Sequence, residues 1–259
     1  MEVAHREGIL TAASLMVGAP AAADAVVRAR RMPTLRVGLH LVLVEGHPVL
    51  PASEVPDLVD ARGMFREDLG RMGVEIFLRP AVRRQVAAEI AAQFAAFAAT
   101  GLVLDHVNAH KHYHLHPTVA RLIVETGRRH GLRSVRVPDE PAALVRRIDP
   151  SLPSQAPLWP YTALLRRRLR RAALVTSDRV FGLAWSGAMT ATRVSMLLGQ
   201  LPSGVSELYV HLATSDRFAG SAPGFRYVDE LDALTAPATR DALQASRAAL
   251  IAFSDLPAP

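Results

Sequence analysis

Hydrophobic positions along the chain alternate between a short, dense rhythm and a longer, striped one. Over 81–99, Val82, Val86, Ile90, Phe94 and Phe97 fall at steps of four, four, four and three, one stripe of an amphipathic helix that Gly101 stops. The Ala-rich segment 21–31 predicts a helix ending before Pro33. The run LRVGLHLVLV (35–44) is dense in leucine and β-branched residues and predicts a buried strand with Gly38 and His40 inside it. Between them and the long helix, 46–80 carries Pro48, Pro51 and Pro56 and is expected to be a long loop with a short strand or helix. LVLDHVNAH (102–110) predicts another strand, which opens into a cluster of histidines. A helix is expected over 117–130, with proline in its first turn and Gly131 at its end, then a strand over 132–138 closed by Pro138.

Beyond that point the pattern predicts a Pro-rich loop over 139–160, a basic helix over 161–175, a short strand within 178–185 and a helix near 190–199. A strand over 207–213 ends near His211, a loop covers 214–227, and the last helix spans 237–253. Strands thus alternate with helices across connections long enough for crossovers, which predicts a parallel α/β sheet or barrel. No repeat or low-complexity linker divides the chain, so 1–259 is taken as one domain.

Composition narrows the chemistry. With no cysteine, a metal could be held only by His, Asp, Glu or water, and no disulfide framework exists. The absence of cysteine agrees with a reducing cytoplasm, the N-terminus lacks the basic and apolar regions of a secretory signal, and no uncharged apolar run reaches about 18 residues. The chain carries 30 Lys+Arg against 24 Asp+Glu, nearly all the cations being arginine. Such a balance suits an acidic partner or an anionic membrane surface, and a GC-rich genome produces it equally. In the basic helix, Leu164, Leu165, Leu169 and Leu174 alternate with Arg166, Arg167, Arg168, Arg170 and Arg171, which fits peripheral contact with an anionic leaflet or a solvated outer helix. No nucleic-acid module is present, so no nucleic-acid partner is expected. WSGAM lacks the G-x-S-x-G frame of a serine nucleophile elbow.

The histidines decide the rest. Of ten in the chain, five lie within 106–116: His106, His110, His112, His114 and His116. In an extended conformation the last four would share one face. A lone His such as His5, His47 or His130 suits a surface, and His40 by itself would suit a satisfied core position. Together, His40, the cluster and His211 lie near three strand ends, where parallel α/β folds place their reactive groups. Neutral imidazoles converging there would hold a divalent metal.

VGLHLVL, DHVNAHKHYHLHP, VRVP and ELYVH, in that order, resemble the YdjC-like carbohydrate deacetylases. REGILTAASLM and FAGSAPGFRY bring the chain nearest to the hopanoid-biosynthesis-associated branch, HpnK. The resemblance implies a distorted NodB-like (β/α) barrel and a metal-dependent N-deacetylase. It implies that His40 and His110 ligate a divalent ion, Mg or Zn. His112, His114 and Arg136 would line the substrate pocket or orient ligands, and His211 would be the general acid toward the leaving amine. The substrate implied is an N-acetylated sugar or glycolipid, in this branch an N-acetylglucosaminyl hopanoid lipid, handled in the cytoplasm or at the inner membrane. A homodimer is left open. Family members begin with a strand ending in Asp-Asp-Phe-Gly, which supplies a ligand Asp and a base Asp; no such motif occurs in 1–259, so the first strand is expected to be missing. Either the start codon is assigned too late, or the chain is an inactive pseudo-enzyme that binds metal or sugar. Leu212 replaces the proline usual after the last histidine, and Asn108 stands where distant relatives carry Asp.

Overall fold

A computed structural model describes residues 1–153 and 158–257. In chain order its elements are α1 (Glu2–Arg6), β1 (Ala12–Leu15), α2 (Ala22–Arg30), β2 (Arg36–Leu41), α3 (Leu69–Leu78), α4 (Pro80–Ala99) and β3 (Leu104–Ala109). Then follow α5 (Pro117–Gly127), α6 (Ala142–Ile148), α7 (Trp159–Arg171), β4 (Arg179–Phe181), α8 (Ala191–Leu198), β5 (Ser206–Leu208), α9 (Tyr227–Thr235) and α10 (Pro237–Ser246). Contacts group the chain into two compact units, each assembled from non-consecutive segments. Residues 12–136, 160–176 and 252 onward make the first; 1–11, 137–159 and 177–251 make the second.

The first unit is built on a parallel sheet of order β1-β2-β3. Isolated parallel bridges, Val107 to Val135 and Ser134 to Val175, continue the same direction. Leu39 and Leu41 of β2 are fully buried, and the α4 stripe from Val82 to Phe97 is buried throughout, as its spacing predicts. The same helix also buries two polar side chains, Glu89 and Gln93. Both tie down the chain that leaves β2. Glu89 accepts from the amides of Val49 and Leu50 at 2.8 and 3.0 Å, while Gln93 bonds both the amide and the carbonyl of Val42. These partners offset the cost of removing a carboxylate and an amide from water. Past Ala99, the Thr100 hydroxyl donates to the Phe97 carbonyl and Gly101 turns left-handed at φ +71°, ending the helix.

The second unit pairs β4 and β5 in parallel. Its core gathers Val145, Ile148, Phe181, Trp185, Met189 and Leu197. The carboxylate of Asp149 accepts from the Trp185 indole at 3.2 Å and from Arg193 at 2.9 Å.

Several expectations need correction. The strands form two sheets, and no closed barrel is present among the described residues. The strands have only three to six residues, and the extended run expected over 132–138 keeps single bridges rather than a ladder. The Pro-rich stretch 139–160 contains α6; residues 154–157 of that stretch lie outside the described residues. β5 stops at Leu208, so His211 lies three residues beyond it rather than at its end. α10 ends at Ser246, where Arg247 turns left-handed at φ 57°, and not near 253. α9 begins where the expected loop ends, over a stretch given no element, and β1 was not anticipated. Among the described residues no helix is long and apolar enough to cross a membrane.

Candidate functional site

The strands of the first unit bring one set of side chains onto one sheet face. In a strand, alternate residues share a face, and in register neighbouring strands add to it. Ser14 pairs with Gly38, and His40 with Asn108. Ser14, Gly38, His40, His106 and Asn108 therefore stand together. Gly38 matters because the His106 ring lies directly over it: a Cβ there would be 2.5 Å from Cε1 of that ring. Phe253 stacks near His106, with centroids 4.6 Å apart.

These side chains form one continuous hydrogen-bonded chain. The His106 Nδ1–H donates to Asp105 Oδ2 at 2.8 Å, and His106 Nε2 lies 2.9 Å from Ser14 Oγ. Ser14 Oγ is 2.9 Å from the Asn108 amide, whose other end is 2.6 Å from His40 Nδ1. Burial alone would raise the Asp105 carboxyl, but the His106 hydrogen bond and charge, with bonds from Ser254, leave it below its ordinary value. Asp105 is thus an anchor and not an accessible base. Arg136, buried as well, brings its guanidinium to the Asn108 amide at 3.1 and 3.3 Å.

His110 follows Asn108 by two residues and leaves β3 on the same face. Its ring centroid lies 5.7 Å from that of His40, in a T-shaped arrangement. Burial holds the His110 imidazole below its ordinary range, a neighbouring Lys111 adds to this, and Glu45 opposes it. The Glu45 carboxylate is 3.7 Å from His110 Nε2 and 3.1 Å from Lys111 Nζ. Glu45, Lys111 and His112 all have positive φ, near 50°, three of the five non-glycine residues that do so among those described. Such conformations cost roughly 1–3 kcal/mol each and gather at functional sites.

The rest of the cluster does not share one face as an extended run would. HKHYHL winds into a kinked 3-10 turn, and the left-handed Lys111 and His112 break the alternation. His112 and His114 remain neighbours, with centroids 6.1 Å apart. His114 is fully buried and donates from Nε2 to the Arg136 carbonyl at 3.0 Å; burial pushes it well below its ordinary pKa, so it is neutral. His116 accepts from the Thr118 amide at the start of α5 and bonds the Gly73 carbonyl, a structural role. His211 belongs to the second unit. Its ring meets Tyr209 and Phe225 edge-on, each at 5.1 Å, and its backbone amide donates to the buried Glu230 carboxylate.

Of the residues singled out from sequence, His40, His110, His112, His114 and Arg136 lie in the first unit and His211 in the second. Among the described residues no group of three or more His, Asp or Glu side chains is arranged to hold a metal ion. Ser14 and Glu45 were given no place in the site from sequence, and His106 was counted in the cluster without a role.

The family profile described as YdjC-like protein matches residues 1–245. The chain belongs to the YdjC-like family. Its similarity to a mouse carbohydrate deacetylase is 30% identity over 96% of this chain and 86% of the other. A Geobacillus stearothermophilus carbohydrate deacetylase is 29% identical over 90% of this chain and 81% of its own length. One from Brevibacillus brevis is 40% identical over 47% of this chain, and there the match spans 46% of the relative, about half its length, as in others from Oceanobacillus and Vibrio. Among solved structures, a candidate cellobiose-phosphate cleavage protein of Enterococcus faecalis V583 superposes with a TM-score of 0.73 at 22% identity. That match covers 96% of this chain and 89% of the other, so the two share a fold.

Proposed function

We propose that this chain is a metal-dependent carbohydrate N-deacetylase of the HpnK branch, acting on an N-acetylglucosaminyl hopanoid lipid in the cytoplasm or at the inner membrane. The pairing of His40 with His110 carries the reading. Two imidazoles that share an ion, each nitrogen roughly 2.0–2.1 Å from it, bring their centroids to roughly 4.5–5.5 Å; here they are 5.7 Å apart, within a small ring shift of that span. A neutral His110 and an amide partner at His40 Nδ1 also suit a divalent cation. The imidazole donors fit Zn, held through Nε2 of His40 and a nitrogen of His110, whereas Mg would need oxygen ligands besides them. Once bound, the cation would supply Lewis acidity toward the acetyl carbonyl and toward water.

His112 would line the sugar pocket, with His114 and Arg136 shaping it from beneath. His211, as an imidazolium, would give its proton to the departing amine nitrogen. The Asp-Asp-Phe-Gly expected from the family resemblance does not occur within 1–259, and no base or anionic ligand is assigned among these residues. That same observation favours one second reading, a pseudo-enzyme that binds metal or sugar. In α7, Leu165 and Leu169 are buried, while Trp159, Tyr161 and Leu164 are exposed beside arginines. Contact with an anionic membrane surface would thus rest on these aromatic and cationic groups.

The test is acetate release from an N-acetylglucosaminyl lipid with added Zn or Mg, where metal-dependent turnover is expected. Metal uptake without turnover would favour the pseudo-enzyme, and metal-independent turnover would overturn the mechanism.

A further inference from the structure

α3 packs against the histidine turn and leaves its outer side apolar. Met72 and Ile76 turn the helix into the core. Val74, Phe77 and Leu78 fall on the opposite side at i, i+3 and i+4, and they are 57%, 62% and 68% exposed. A surface helix ordinarily carries polar residues there. Two contacts fasten α3 beside the candidate site. The Tyr113 hydroxyl donates to the Leu69 carbonyl at 3.0 Å, and His116 Nε2 lies 3.1 Å from the Gly73 carbonyl. Both side chains belong to the turn that follows His110.

The charges around this stripe stand with the cations outermost. Glu75, the one acid of α3, is 12% exposed, while its partner Arg71, 2.9 Å away, is 74% exposed. Arg79 pairs with Glu75 and with Asp57, and in both pairs the guanidinium is again the more exposed group. The Arg168 guanidinium donates to the Pro117 carbonyl at 2.6 Å, one residue beyond His116, so α7 is fastened to the same stretch of chain as α3. Tyr161 and Leu164 of α7 are exposed, and 158–175 holds five arginines and no acid.

An apolar stripe with cations at its edge fits the boundary between headgroups and acyl chains of an anionic leaflet. A second copy of the chain fits less well. The three α3 side chains expose on the order of 300 Å², against about 800 Å² per partner in a standard interface. We propose that Val74, Phe77 and Leu78 dock the protein on an anionic lipid leaflet, with Arg71, Arg79 and the arginines of α7 against the headgroups. This goes beyond the contact assigned to α7, because the apolar insertion is placed on α3 at the edge of the histidine turn. Its purpose rests on reading the substrate as a glycolipid; the docking itself is measured without substrate.

The chain has no cysteine, so a single one can be introduced and labelled. Phe77→Cys and Val103→Cys each carry an environment-sensitive dye; Val103 is 87% exposed and precedes β3, at the end of that strand away from His110. The probes are vesicles of phosphatidylcholine and of an equal mixture of phosphatidylglycerol and phosphatidylcholine. The dye at position 77 is expected to shift to the blue with the mixed vesicles only, and the dye at position 103 with neither. Co-sedimentation with the mixed vesicles should weaken at least about tenfold in Val74→Ser/Phe77→Ser/Leu78→Ser, since about two buried methylene equivalents already correspond to that factor. Circular dichroism checks the fold, and Phe77→Ser alone carries the comparison if the triple variant does not fold. Equal shifts at the two positions, or undiminished vesicle binding by the serine variant, would overturn the proposal. So would a shift at position 77 that grows with protein concentration in the absence of vesicles, which would point to a second copy instead. Acetate release from a water-soluble N-acetylglucosaminide is measured alongside. Docking without release by any of the proteins refutes the deacetylase reading alone, and release without docking refutes the docking alone.

Discussion

Gly38→Ala tests how tightly the sheet face is packed. The added methyl would sit 2.5 Å from Cε1 and 2.6 Å from both nitrogens of the His106 ring. Ordinary carbon contacts lie near 3.5–4.0 Å, so the ring would have to withdraw by about 1 Å. It has nowhere to go: Phe253 stacks near it at 4.6 Å, and bonds of 2.8 and 2.9 Å hold it to Asp105 and Ser14. A shift of that size breaks both bonds, worth about 2 kcal/mol for the one to the carboxylate and about 1 kcal/mol for the other. Overpacking adds about 1–3 kcal/mol. The substitution should therefore cost about 4–6 kcal/mol, a large part of a stability of roughly 5–15 kcal/mol. With a urea slope of about 2–3 kcal/mol per molar, the midpoint should fall by about 2 M. A double-mutant cycle sharpens the assay, because in a His106→Ala background the space is open and Gly38→Ala should cost about 1 kcal/mol or less. Equal costs in the two backgrounds would refute the reasoning, as would a midpoint that barely moves.

Other outcomes follow from the site and its supports. His110→Ala should abolish divalent-metal uptake, measured by calorimetry, while leaving the fold intact by circular dichroism. His211→Ala should lower kcat by about 10²–10⁴-fold with metal content unchanged; near-normal kcat would remove His211 as general acid. Glu89→Ala would leave the Val49 and Leu50 amides without their acceptor and cost about 2–3 kcal/mol in urea unfolding. His114 is buried and neutral, with a folded pKa well below 6.5, so the unfolded chain binds the extra proton first. Its contribution to stability is complete above about pH 6.5 and declines as pH falls below it, by up to about 1.4 kcal/mol per unit until the folded pKa is reached. A His114→Gln variant with the same acid sensitivity of melting temperature would count against this.

What could be read from sequence divides along physical lines. The α4 stripe was legible because its five apolar positions all turn inward and no other conformation gathers them. β2 and β3 were legible because buried parallel strands are dense in apolar residues. β1 was missed because TAASLM carries mostly small residues, whose burial leaves little hydrophobic signal, and α9 because its inward face includes the charged Glu230. At the site, His40 and His110 stood out through their setting. Ser14 did not, since a serine in a small-residue run has no spacing that marks it. The histidine run misled because alternation was taken for extension. Local propensity does not reveal that Lys111 and His112 adopt left-handed φ, and that turn sends His114 to the Arg136 carbonyl and His116 to the start of α5. One signal was available. Gly38 and His40 are two apart, as are His106 and Asn108, and adjacent parallel strands, with an irregular register at Gly38, bring these four together. Glycine at the first of those positions gives His106 its room, and His106 then reaches Ser14 and, through Asn108, His40. The hydrogen-bonded chain behind the paired histidines is thus a consequence of strand register, which a single strand read alone cannot supply.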